Sequence, residues 1–193
     1  MDDRVPVGAL RDAAEAIARE AGALVASRYE RGAAAREKGH AHDLVTEVDL
    51  ASEALIVGRL RERFPDHRVV AEEGGGTGAG DGGVTWVVDP LDGTNNFAHG
   101  VPIFCVTLAA LVDGVPVAGA TFDPLRGELF SAARGHGAWL GGRRLAVSER
   151  SALDQAIVVT GFPYDKSSNP DNNLAEVVAV VPHVRGFRRT GSA

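Results

Sequence analysis

Four acidic positions in this 193-residue chain share a setting: Asp49, the pair Glu72-Glu73, Asp89 and Asp92. Each stands where an expected strand, or its edge, gives way to a loop or helix. Strand ends on one edge of a sheet converge in space although they are distant in sequence. Carboxylates brought together repel one another and hold their protons more tightly unless a cation sits among them. An all-oxygen ligand set suits Mg²⁺, Ca²⁺ or Mn²⁺, and Mg²⁺ binds through a few carboxylates plus substrate phosphate. Beside Asp92 stand Gly93 and Thr94, where backbone can approach a ligand and amides at a helix start seat an anion. Carboxylates for metal next to amides for phosphate make a phosphate-ester site chemically sensible.

Plainer readings compete at each position. Thr46-x-x-Asp49 has the spacing of a helix capping box. Glu72-Glu73 reads as a solvated strand end, and Asp92-Gly93 as a turn. Asp89 resists such a reading best, because a carboxylate between Trp86-Val87-Val88 and Pro90-Leu91 is costly to bury unpaired.

The elements that must position these groups follow from periodicity. Residues 7–30 carry a helical pattern through Leu10, Ile17, Ala21 and Leu24, with Gly32 as its stop. "DLVTEVD" gives a short strand feeding a second helix over 48–64, with Leu50, Ala54, Val57 and Phe64 on one face and Pro65 ending it. Strands are expected at 67–73, 84–89, 103–112, 115–122, 128–133 and 156–160. "VDGVP" reads as a hairpin turn and "DPLRGE" as a longer one. A further helix is expected over 174–181. Two helices followed by sequential hairpins predict an α+β fold, an antiparallel sheet with helices on one face. The pattern resets near 145–155, which divides the chain into an N-terminal α+β unit, 1–150, and the start of a second α/β unit, 151–193.

Composition narrows the function classes. A net charge of −6 without clustered Lys and Arg argues against a nucleic-acid surface. The single cysteine, Cys105, permits no intrachain disulfide and fits a reducing compartment. The acidic, polar N-terminus is no signal peptide, and no apolar run reaches the ~20 residues of a membrane span. A cytoplasmic protein with no membrane partner is the expectation. "GGGTGAGDGG" lacks the Gly-Lys-Ser/Thr of a nucleotide-binding P-loop. His40-x-His42 is ambiguous as a metal pair, His99 reads as a surface or cap residue, and Cys105 reads as core.

"DLVTEVD", then "AEEGG", then "WVVDPLDGTNNFAHGVPIF", then "RRTGSA" resemble, in that order, the signatures of the inositol monophosphatase family. The resemblance runs from about residue 7 to 193. It implies a layered α/β sandwich and hydrolysis of a small sugar or polyol phosphate, inositol monophosphate above all, by metal-activated water without a covalent phosphoenzyme. It implies two or three Mg²⁺ ions, with Mn²⁺ as an alternative, and a homodimer for the full-length protein. Glu72 and Asp89 would ligate the first metal with the Leu91 carbonyl, and Asp89 and Asp92 the second. The Gly93 and Thr94 amides would hold phosphate. Thr94, paired with Asp49, and Glu72 would orient the attacking water. Gly191, Ser192 and Ala193 would line the substrate alcohol.

The family pattern continues past Gly-Ser-Ala to a Trp-Asp motif that supplies the last ligand of the second metal. Here Trp86 and Trp139 are the only tryptophans, and neither precedes an Asp. A family member cut short is therefore expected, with weaker metal binding and exposed apolar surface. Histidinol phosphate, fructose bisphosphate and adenosine bisphosphate phosphatases share the same metal-site logic, and an inactive pairing module is the non-enzymatic alternative. A haloacid-dehalogenase-type nucleophile needs Asp-x-Asp, not the wider Asp89–Asp92 spacing. A Cys-based phosphatase needs an arginine where Leu111 stands.

Overall fold

The computed structural model describes residues 6–29, 35–37, 44–72, 74, 83–163 and 165–193, with backbone alone for 35–37, 44 and 45. Helix α1, Val7–Tyr29, buries a continuous stripe of Leu10, Ala13, Ala14, Ile17, Ala18, Ala21 and Val25, the spacing an amphipathic helix needs. Strands β1, Ala35–Glu37, and β2, Leu44–Thr46, pair antiparallel and lead into α2, Glu47–Arg63.

The second helix turns a different face inward than the Leu50, Ala54, Val57 and Phe64 stripe expected from the sequence. Val48, Asp49, Ser52, Glu53, Ile56 and Leu60 are buried, whereas Leu50 is 42% exposed. The start of the helix accounts for this rotation. Thr46 caps it, Asp49 closes the capping box, and Ser52 Oγ donates to the Pro90 carbonyl at 2.8 Å. These polar ties aim the Asp49–Ser52 side at the sheet and leave Leu50 outside.

Seven strands follow as one sheet, in chain order: β3, Arg68–Ala71; β4, Val84–Asp92; β5, Cys105–Val112; β6, Val115–Asp123; β7, Glu128–Ala133; β8, Gly137–Leu140; β9, Arg143–Leu145. Every pairing is antiparallel except β3–β4, which is parallel where an antiparallel pair was expected. The link 72–83 has the roughly dozen residues that a parallel connection requires. Between β5 and β6, Asp113 and Gly114 both take positive φ, as a two-residue hairpin turn demands.

Helices α1 and α2 cover one face of this sheet. Trp86, Val88, Val106, Leu108, Ala120 and Phe122 point into the shared core. Alternation sends Val87 and Phe130 to the other face, each about two-fifths exposed. A short helix, α3, Thr94–Ala98, follows β4 directly. Beyond β9, strand β10, Ile157–Val159, pairs parallel with β11, Gly186–Arg188, and helix α4, Leu174–Val180, lies between them in sequence. Ile157, Val159 and Val178 are more than half exposed, in line with the apolar surface expected there. Strands β1, β8, β9 and β11 lie outside the strands expected from the sequence. Among the described residues no helix is long and apolar enough to cross a membrane.

Candidate active site

Strand β4 does not stop at Asp89, as its apolar run suggests, but continues to Asp92. Its ladder to β5 breaks between those two residues. Pro90 has no N–H to give the ladder, and the irregularity is where a proline is tolerated. Its carbonyl is held instead by Ser52. The break presents Asp89, the Leu91 carbonyl and Asp92 at one end of the sheet. Leu91 N–H donates to Asp89 Oδ1 at 3.2 Å, which shapes the turn between the carboxylates.

Gly93 then reverses the chain into α3 with φ +97°, a left-handed conformation that glycine adopts without strain. A Cβ there would also meet the Ile103 carbonyl and Ser192 Cβ at 3.0 Å. The first-turn amides that follow have no acceptor within the helix. Thr94 Oγ donates to Asp49 Oδ1 at 2.8 Å or to the Leu91 carbonyl at 2.9 Å. Asp49 meanwhile accepts from Thr46 N–H at 2.8 Å and from the Thr46 hydroxyl, both through Oδ2. The capping box is real, and so is the contact to Thr94.

The chain end completes the arrangement. Ser192 Oγ lies 3.0 Å from the Asp92 carbonyl and 3.1 Å from its Oδ2, and Ala193 N–H donates to the same Oδ2 at 2.6 Å. Cys105 Sγ–H is a third donor, at 3.3 Å. All three of these donors reach Oδ2. Cys105 is buried as expected, and burial pushes its thiol up to about 12, but it also touches the site.

Electrostatics report how near the carboxylates stand. Burial, then the charges of Glu72 and Asp92, and to a smaller extent Asp49, push the Asp89 carboxyl up to about 7, against the opposing Leu91 hydrogen bond. Asp49, Glu72, Asp89 and Asp92 therefore share one field, as their positions at strand ends predict. Glu73, His40 and His42 lie outside the described residues. Among the described residues no three Asp, Glu, His or Cys side chains close on one point as a ready cage. The donors nonetheless fit a hard cation: all are oxygens, and the repulsion at Asp89 is what a cation relieves.

The inositol monophosphatase family model matches residues 8–193. The chain belongs to that family. An inositol-1-monophosphatase of Synechocystis is 43% identical over 173 residues, covering 90% of this chain and 60% of the relative. The Nus factor SuhB of Pseudomonas aeruginosa is 45% identical over 181 residues, covering 91% and 67%. Among solved structures, the inositol monophosphatase of Anabaena superposes with a TM-score of 0.85 at 39% identity, covering 96% of this chain and 68% of that one. The chain thus spans 60–67% of the length of these two curated relatives.

Among the described residues, contacts join Asp49 to Thr94, Thr94 to Leu91, Leu91 to Asp89, and Asp92 to Ser192 and Ala193. Gly93 packs against Ser192, Gly191 packs on Asn96, and Glu72 acts on Asp89 through its charge. Three contributors went unnoticed in the sequence: Ser52, Asn96, and Cys105 as more than core. Each acts through a contact that spacing does not disclose. Ser52 reaches a carbonyl 38 residues away, and Asn96 a carbonyl 94 residues away. His99 is a cap residue, its Nδ1 lying 2.8 Å from the Asn95 carbonyl.

Proposed function

We propose that this chain carries the metal- and phosphate-binding part of a phosphomonoesterase acting on a small polyol or sugar phosphate, with inositol monophosphate the first candidate. One observation carries the reading: a four-carboxylate field centred on Asp89 beside a hydroxyl, Thr94, that is anchored on Asp49 at the start of α3. Asp89, Glu72, the Leu91 carbonyl and Asp92 would hold Mg²⁺, or Mn²⁺ in its place. Such a cation, when bound, lowers the pKa of a water and neutralises charge on the departing oxygen. Thr94 gives its proton to Asp49 and so keeps lone pairs free to accept from an attacking water. Glu72, on the turn after β3, would help to orient that water. The amides of Gly93 and Thr94 take the phosphate oxygens, because they end in no intrahelical acceptor. Gly191, Ser192 and Ala193 stand beside Asp92, where the alcohol would leave.

The inositol-1-monophosphatase name of the Synechocystis relative supports this substrate class. The test is phosphate release from inositol 1-phosphate by the purified chain, titrated with Mg²⁺, beside Asp89→Asn. Metal-dependent release that the variant lacks supports the reading; equal release from both ends it. A second reading has its own observation. Ile157, Val159 and Val178 form exposed apolar surface, and relatives of comparable identity bear the name Nus factor SuhB. A chain that works by pairing with another protein needs no metal-dependent turnover, so the same assay separates the two.

A further inference from the structure

Asn96 sits in α3, two residues past Thr94, and its side chain is engaged away from any site carboxylate. Its Nδ2 donates to the Ile103 carbonyl at 2.7 Å and to the Thr190 carbonyl at 2.9 Å. Both amide protons are therefore spent, one on the loop after α3 and one on the chain end. Gly191 packs directly on this amide: with φ +81°, a Cβ there would lie 3.1 Å from Nδ2 and 3.2 Å from Oδ1. On the other side of the joint, Gly93 leaves room for the Ile103 carbonyl and Ser192 Cβ. Three segments, 93–96, 103–104 and 190–192, thus meet around one amide group.

What this joint delivers is the orientation of Asp92. Thr190 Oγ donates to the Ser192 carbonyl at 2.8 Å, which folds the segment so that Ser192 Oγ and Ala193 N–H reach the Asp92 carboxylate. Strand β11 ends at Arg188, and residues 190–193 lie beyond it against the β4–α3 turn.

We propose that Asn96 is a positioning residue: its amide latches residues 190–193 onto the β4–α3 turn and thereby fixes which oxygen of Asp92 is tied by Ser192 and Ala193. The role rests on the phosphatase reading for its catalytic meaning, but the latch itself is testable without turnover. Cys105 provides the reporter. It is the only cysteine of the chain, it is buried, and Ser192 Oγ stands 3.6 Å from its sulfur. A segment that swings away uncovers this thiol.

The experiment compares the full chain with Asn96→Leu, which keeps the bulk and loses both donors, and with Asn96→Ser as a milder second variant. Alkylation of Cys105 is followed at fixed pH, and amide exchange is followed separately for 186–193 and for 105–112. The latch predicts alkylation faster by about tenfold or more, from local opening alone, with exchange raised in 186–193 and unchanged in 105–112. In a chain that turns over substrate, it also predicts a higher Mg²⁺ requirement for half-maximal rate. Unchanged labelling and exchange in either folded variant overturn the proposal. Absence of turnover in the parent chain would defeat the phosphatase reading and leave the labelling result to decide the latch.

Discussion

Replacing Asp89 by an amide tests the carboxylate field by stability as well as by turnover. The Asp89 carboxyl is raised from its ordinary 3.8 to about 7, chiefly by burial and then by Glu72 and Asp92. Below pH 4 the group is protonated folded and unfolded, and it contributes nothing to the pH dependence. As pH rises toward 7 the unfolded chain releases the proton while the folded chain keeps it, so stability falls with rising pH. Above 7 the cost is complete. At about 1.4 kcal/mol for each tenfold change in proton affinity, it reaches roughly 4 kcal/mol as a ceiling. For a chain of this size that corresponds to about 8–16 °C in Tm, again as an upper bound. The amide introduced by Asp89→Asn keeps the shape and the acceptor for Leu91 N–H but never ionises. In chelator, Asp89→Asn should therefore be more stable than the parent at pH 8 and nearly equal at pH 4, with the gap opening between. Taking the difference between the two proteins cancels the titrating groups outside the field that Asp89 shares with Asp49, Glu72 and Asp92. Mg²⁺ should then stabilise the parent, by about 2.7 kcal/mol at a hundred times its Kd, and leave the variant unmoved. A difference that does not vary with pH, or a variant less stable at pH 8 in chelator, would refute the convergence of charge at Asp89.

Three further outcomes follow from named contacts. Thr94→Val removes the hydroxyl facing Asp49 and should lower metal-dependent phosphate release by about 10²–10⁴, with a stability loss of only ~1 kcal/mol by urea unfolding. Gly22→Ala puts a methyl into the ring of Phe122 in the α1–β6 contact, and overpacking of this kind should cost about 1–3 kcal/mol in the same experiment. His67 accepts the Trp86 indole N–H through Nδ1 at 3.1 Å, and burial pushes the imidazole down against the opposing charge of Asp66. Its protonation therefore favours the unfolded chain, so stability should fall as pH drops below about 6.5, and His67→Gln should flatten that part of the profile.

Much of the site was legible because its residues act close to home. Pro90 and Gly93 announce a turn that separates and then reverses the strand end, and Asp89 is marked by its apolar surroundings. Helix α1 and strands β4 to β7 carry enough periods to be read directly. The illegible part depends on distance. The inward face of α2 carries Val48, Ile56 and Leu60 rather than Leu50, Ala54 and Val57, and its polar ties, Ser52 to Pro90 and Asp49 to Thr94, are contacts that spacing does not disclose. Asn96 looks like one of two interchangeable asparagines, yet only the fold tells which of them holds Thr190. Cys105 is buried, which its neighbours foretell, and is a donor to Asp92, which they do not.

Asp49 shows that the plain and the chemical readings of a residue need not compete. Its two oxygens divide the work: Oδ2 closes the capping box on Thr46, and Oδ1 accepts from Thr94. An amide at this position has one acceptor oxygen and cannot serve both. The cap presents two donors, the Thr46 N–H and hydroxyl, so in Asp49→Asn the amide oxygen should remain there and turn the NH₂ to Thr94. Thr94 would then accept from the amide and send its own proton to the Leu91 carbonyl at 2.9 Å. The helix start survives and the hydroxyl is reversed, its lone pair consumed and its proton placed on a proposed metal ligand. Asp49→Asn should therefore unfold within about 1 kcal/mol of the parent, the usual scale of a cap, while metal-dependent phosphate release falls by about tenfold or more, the scale of one misdirected hydrogen bond. An equal loss of stability and activity would make Asp49 a cap alone. Full activity would show that the direction of the Thr94 hydroxyl does not matter to the water it faces.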